Sequence, residues 1–146
     1  VTNGRKCTCG KRGCVEAYCS MTALYKDLRR EMFLNRNSLL WNKLNPNDID
    51  GKVFFELLGK DQTADRVFNR FIKYLGVAIT NVANLVRPDI ILIGGGVSAQ
   101  GEKIIKPLNE YLEENIFAKE YTEKIPVKAS KNGNDAGILG ASVLLD

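Results

Sequence analysis

The sequence predicts a helix-rich α/β fold, and three observations carry that prediction. Residues 62–86 keep an unbroken helical period, with Phe68, Phe71, Leu75, Ile79, Val82 and Val86 stepping by three or four. That is one apolar stripe along a helix about 37 Å long. Asp89-Ile90-Ile91-Leu92-Ile93 then runs into Gly94-Gly95-Gly96, and four consecutive aliphatics read as a strand buried on both faces. An amphipathic stretch at 101–117 leads to Pro126-Val127-Lys128-Ala129-Ser130. Strand, glycine loop, helix and strand make a βαβ unit, which implies a short parallel sheet.

The remaining elements follow in chain order. Residues 14–31 read as one helix, with Val15, Tyr18, Leu24, Tyr25 and Leu28 on its apolar side. Residues 35–50 are polar, carry Asn45-Pro46 and read as a loop around a turn of helix at Leu39-Leu40-Trp41. A short helix at 51–59 ends near Gly59, and Asp61 is placed to N-cap the long helix. Pro88 stops that helix, and Pro107 lies in the first turn of the next one or kinks it. Gly133-Asn134-Asp135 turns into a small-residue helix at 136–145, whose Ala136, Gly137, Gly140 and Ala141 allow close packing. Two strands make a poor sheet, since a buried strand needs neighbours on both sides. Together with a first residue that is Val1 rather than Met, this leads us to expect a single piece, 1–146, of a longer protein.

The chain has 146 residues, 45% apolar and 26% charged, ordinary values for a globular domain able to bury a core. No apolar run approaches the ~20 residues of a membrane helix and no secretory signal pattern is present, so a cytoplasmic protein with no membrane partner is expected. The absence of histidine excludes Ser-His-Asp and Cys-His catalysis. The net charge of +4 resides in Arg5, Lys6, Lys11 and Arg12, leaving 17 basic against 17 acidic residues elsewhere. A nucleic-acid binder shows a wider basic face, so this cluster reads as a solvated terminus or as company for nearby thiolates.

Those thiols are the most specific feature. Cys7-Thr8-Cys9-Gly10-Lys11-Arg12-Gly13-Cys14 places three cysteines within eight residues, with glycines where the backbone must turn tightly. In a cytoplasmic chain this density points to Zn²⁺ before disulfide; the bland alternative is a set of unpaired cysteines. A structural zinc site takes four ligands and three are present here. Cys19 lies in the predicted first helix and points elsewhere. Glu16, taken alone, is an acid in the first turn of a helix, where the dipole favours it.

The run from Cys7 to Glu16 resembles the C-x-C-G-x-x-G-C-x-E signature of the ROK family, which comprises bacterial sugar kinases and related sugar-responsive repressors. The resemblance continues through Glu16-Ala17-Tyr18-Cys19-Ser20, Pro88 to Ser98, and Gly133 to Ala141. It implies the C-terminal portion of an actin-like (ribonuclease H-like) ATPase lobe. Within it, residues 1–20 form the zinc loop and helix start, and residues 88–146 form the nucleotide-side βαβ unit plus the C-terminal helix. It implies a zinc clamp of Cys7, Cys9 and Cys14 completed by a histidine upstream of Val1, and a sugar-contacting role for Glu16. Gly94, Gly95 and Gly96 would lie under the nucleotide of an ATP site that also uses Mg²⁺.

Gly94-x-Gly96-x-x-Ala99 also satisfies a dinucleotide fingerprint. That reading wants an acid closing the next strand, where Ala129-Ser130-Lys131 stands. It would also normally open its domain. Gly133–Gly137 either lines the nucleotide pocket or allows close helix packing. The family's general base and D-x-G-x-T motif find no match in this chain, so the piece alone is expected to be inactive without the missing N-terminal lobe. The leading expectation is therefore part of an ATP-dependent hexose kinase, with sugar, ATP and a homo-oligomeric copy as partners. The alternative is the sensing lobe of a repressor, in which case nucleic acid is a partner of the whole protein.

Overall fold

A computed structural model of the chain describes residues 1–131, 135 and 140–142. Its elements are α1 (Glu16–Cys19), α2 (Met21–Leu34), α3 (Leu40–Lys43), α4 (Gly51–Glu56), α5 (Gln62–Val86), β1 (Ile91–Ile93), α6 (Gly95–Ser98), α7 (Glu102–Asn115) and β2 (Val127–Ala129). The fold is helix-rich α/β, as expected. Within α5 the chain divides into two compact units, Val1–Leu75 and Gly76–Asp146.

In the first unit the expected single helix at 14–31 is two. Ser20 is extended (φ −88°, ψ 160°), and its hydroxyl accepts a hydrogen bond from the Ala23 N–H at 3.1 Å, capping α2. A serine that satisfies an orphan N–H starts a new helix instead of continuing the old one. Helix α2 then runs beyond the expected end, to Leu34. Its inner face contributes Leu24, Leu28 and Met32 to a core shared with Leu40, Phe54, Phe55, Val67 and Phe71. Phe55 meets Phe54 and Phe68 edge-on, at 5.1 and 5.9 Å between ring centroids, a favoured aromatic geometry. Helix α4 stops at Glu56, short of the expected 59.

In the second unit β1 and β2 pair in parallel, Ile91 opposite Val127, Leu92 opposite Lys128 and Ile93 opposite Ala129. The far edge of β2 is held by a side chain: Asn109 of α7 donates to the Val127 carbonyl and accepts from the Val127 N–H, both at 2.9 Å. Ile104, Ile105, Leu108 and Leu112 of α7 are buried with Ile125 and Val127. Gly76 permits a close approach, since a Cβ there would lie 2.4 Å from the Tyr111 ring.

Several expectations change here. β1 is not buried on both faces: Leu92 is 59% exposed, because β2 pairs with an edge of β1 and a paired strand covers no face. In the α5 stripe Phe68, Phe71 and Ile79 are buried and Leu75 is half-buried, but Val82 and Val86 are exposed and Ala83 takes the inward position. Pro107 lies inside α7, beyond its first turn, and the helix spans Glu102–Asn115 rather than 101–117. Gly95 and Gly96 open the one-turn α6 rather than a plain loop. The helix expected at 136–145 lies outside the described residues except for helical 140–142, and Gly133 and Gly137 lie outside them too.

Candidate functional site

Residues 5–14 fold as a small hairpin. Lys6 and Arg12 form an antiparallel bridge. The Cys7 N–H donates to the Lys11 carbonyl at 2.8 Å and the Gly13 N–H to the Arg5 carbonyl at 2.9 Å. Gly10 (φ 87°) and Gly13 (φ 78°) supply the left-handed turns, conformations that cost a side-chain-bearing residue free energy.

The hairpin brings the three predicted sulfurs together. The Sγ atoms of Cys7, Cys9 and Cys14 all lie within 4.8 Å of one another, and Cys9 Sγ is 3.7 Å from Cys14 Sγ. Tetrahedral coordination at a Zn–S distance of ~2.3 Å separates sulfurs by about 3.8 Å, so the donor set fits a zinc-sized ion with little movement. The thiols are already differentiated. The Lys11 backbone N–H, then Cys7 and Cys14, hold the Cys9 thiol below its ordinary value. Hydrogen bonding to Cys9, then burial, pushes Cys14 up to about 11. A metal ion would displace the remaining protons. Cys19 stands apart from this cluster, and burial pushes its thiol up to about 11 against the opposing charge of Arg5.

Glu16 opens α1 and reaches back to the hairpin. Its Oε1 accepts from Thr8 Oγ1 at 3.2 Å and its Oε2 accepts from the Cys7 thiol at 3.5 Å. The residue is exposed and lines a cavity of about 430 Å³ together with Thr22, Lys26 and Arg30 of α2. This volume falls within the usual range for small-molecule sites. Thr8 was not singled out from the sequence; its only signal is a hydroxyl between two cysteines.

Arg5 also differs from its reading as a solvated terminus, because its guanidinium pairs with Asp27 at 2.9 Å. In the second unit the glycine run follows β1 directly. Gly94 is extended, Gly95 has φ 70°, and a Cβ on Gly94 would meet nothing within 4 Å. The backbone there is open to an approaching group. The strand order and parallel pairing fit the expected βαβ unit, whereas no acid stands at the end of β2, where Ala129-Ser130-Lys131 runs, to hold a dinucleotide ribose. No helix among the described residues is long and apolar enough to cross a membrane.

A profile of the ROK family matches residues 1–146. The glucokinase of Thermotoga maritima is 34% identical over 145 residues, covering 98% of this chain and 45% of that protein. The xylose repressor of Bacillus subtilis is 26% identical over 145 residues, covering 99% of this chain and 34% of that protein. The crystal structure of a ROK family glucokinase from Streptomyces griseus, in complex with glucose and AMPPNP, superposes with a TM-score of 0.84 at 29% identity. It covers 99% of this chain and 48% of that one. The chain thus spans less than half the length of each relative.

Proposed function

Because the chain belongs to the ROK family, we propose that it works as part of an ATP-dependent sugar kinase, transferring the γ-phosphoryl group of ATP to a hexose hydroxyl. The observation that carries this reading is the placement of Glu16: a carboxylate held by Thr8 against a hairpin of three convergent thiols, at the mouth of a cavity of sugar size. Relatives named glucokinase and a neighbour holding glucose and AMPPNP support the substrates.

In this reading Cys7, Cys9 and Cys14 hold Zn²⁺ with a fourth ligand, a histidine, from upstream of Val1. The bound ion would supply no chemistry to the reaction, only a rigid staple, because four protein ligands leave no open position. Glu16 accepts hydrogen bonds from sugar hydroxyls, and Thr8 fixes its rotamer once the Cys7 proton is gone. Gly94, Gly95 and Gly96 let the backbone approach the nucleotide without a Cβ in the way. The aspartate base and phosphate-gripping loop belong to the missing lobe, so residues 1–146 alone are inactive. The protein is cytoplasmic.

The test is ATP consumption by the full-length protein with Mg²⁺ and a panel of hexoses and amino sugars. Sugar-dependent turnover is expected. Glu16→Gln should lower kcat/KM for the sugar by roughly tenfold or more, the scale of a lost charge-assisted hydrogen bond, while leaving bound zinc unchanged. Residues 1–146 alone should show no turnover. One observation favours a second reading: the similarity to a xylose repressor runs along 99% of the chain. Absence of turnover with every sugar, together with sugar-dependent DNA binding, would replace the kinase with a sensing lobe.

A further inference from the structure

The hydrogen bonds within the cysteine hairpin do not say how it sits on the helices behind it, whereas Arg5 does. Its Nη2 lies 2.9 Å from Asp27 Oδ1 and donates to Oδ2 at 3.0 Å; its Nη1 donates to the Ala17 carbonyl at 3.4 Å. The guanidinium stacks 4.7 Å over the Tyr18 ring, which itself packs 4.6 Å from Tyr74. The Arg5 main chain is held as well: its N–H donates to Tyr18 Oη at 2.8 Å and its carbonyl accepts from the Gly13 N–H.

Asp27 extends this contact into the unit. Its Oδ2 is 3.6 Å from Arg70 Nε, and both Arg70 Nη atoms donate to Glu31 Oε1 at 3.1 Å. The four charges alternate, Arg5, Asp27, Arg70, Glu31. Asp27 and Glu31 are like charges one turn apart on α2, a repulsive spacing unless cations intervene. Their side chains are only 14% and 9% exposed, so an unpaired carboxylate here is costly.

We infer that Arg5 is a positioning residue: gripped by Asp27 and Tyr18, it sets the hairpin on α1 and α2 and thereby places Cys7 and Glu16. For Glu16 this deepens the sugar-site reading and rests on it; for the hairpin it stands without it.

The test compares Arg5→Gln, Asp27→Asn and the double variant in the full-length protein. In metal-free protein, alkylation of buried Cys7 by iodoacetamide, read by mass spectrometry against exposed Cys9, should rise about tenfold in each single variant. The double variant should not exceed Arg5→Gln, because Asp27 reaches the hairpin only through Arg5. Zinc affinity, measured by chelator competition, should fall about tenfold. KM for the sugar should rise while kcat and KM for ATP stay unchanged. Arg5→Lys keeps the charge without the planar fork and should fall between wild type and Arg5→Gln; with Asp27→Asn it carries the same test if Arg5→Gln does not fold. A lower Tm with unchanged Cys7 labelling and zinc affinity, or additive effects in the double variant, would overturn the inference. A wild-type protein that binds no zinc and phosphorylates no sugar defeats the function proposed above, and Cys7 labelling still decides the role of Arg5.

Discussion

Asp61 shows how much one carboxylate can organise. It is 7% exposed. Its Oδ1 accepts from the Thr63 and Ala64 N–H groups, capping α5, and its Oδ2 accepts from the Leu39 N–H and the Ser38 hydroxyl, at 2.8 to 2.9 Å. Burial acts to raise this carboxyl, but the donors from Ala64, Leu39, Ser38 and Thr63 outweigh it and hold it below its ordinary value. A carboxyl depressed in the folded state contributes stability above the unfolded value of about 4, and loses that contribution as pH falls through the folded value. Asp61→Ala should therefore cost about 1–3 kcal/mol at pH 7, with a smaller difference at pH 3. Urea unfolding at the two pH values checks this; an equal difference at both would refute it. The cap was legible in the sequence, because an acid directly before a periodic run has one obvious job. Arg5 was not, because its partner Asp27 is 22 residues away and proximity of that kind exists only after α1 and α2 fold.

At the scale of elements, helix type and order followed from periodicity, while boundaries and faces depended on neighbours. The α1–α2 break rests on Ser20, which has an N–H to satisfy and no need of helical geometry. Ser20→Ala should destabilise the chain by about 1 kcal/mol, and Ser20→Asp should retain most of the stability, as denaturant titration would show. The interval 62–86 predicted α5 to the residue, since Asp61 caps one end and Pro88 follows the other. The same periodicity overstated how far the stripe is covered: Val82 and Val86 are exposed. Apolar residues at helical spacing declare which face seeks a partner, but only the partner's presence buries it. β1 follows the same rule. Four aliphatics mark a strand meant to be enclosed, but β2 pairs only with an edge, and the face that carries Leu92 is exposed among the described residues.

For the whole molecule, the division within α5 assigns the cysteine hairpin to Val1–Leu75 and the glycine run to Gly76–Asp146. Stability is not uniform across such units. If Cys7, Cys9 and Cys14 hold zinc as proposed, removing it with a chelator should raise amide exchange across residues 5–30, which the hairpin and the Arg5–Asp27 contact organise, and leave residues 91–129 unchanged. Equal loss of protection in both segments would contradict this. By itself, the sequence determined the helix-rich α/β class, the long helix and the three closely spaced cysteines, because each is written in local spacing; the run from Cys7 to Glu16 carried the resemblance to a family. The tertiary structure decided what spacing cannot encode: that Glu16 turns back onto Thr8 and Cys7, that Arg5 leaves solvent for Asp27, and that Asn109 takes the place of a strand beside Val127. Those contacts join residues distant along the chain, and their partners are chosen only when packing brings the backbones together.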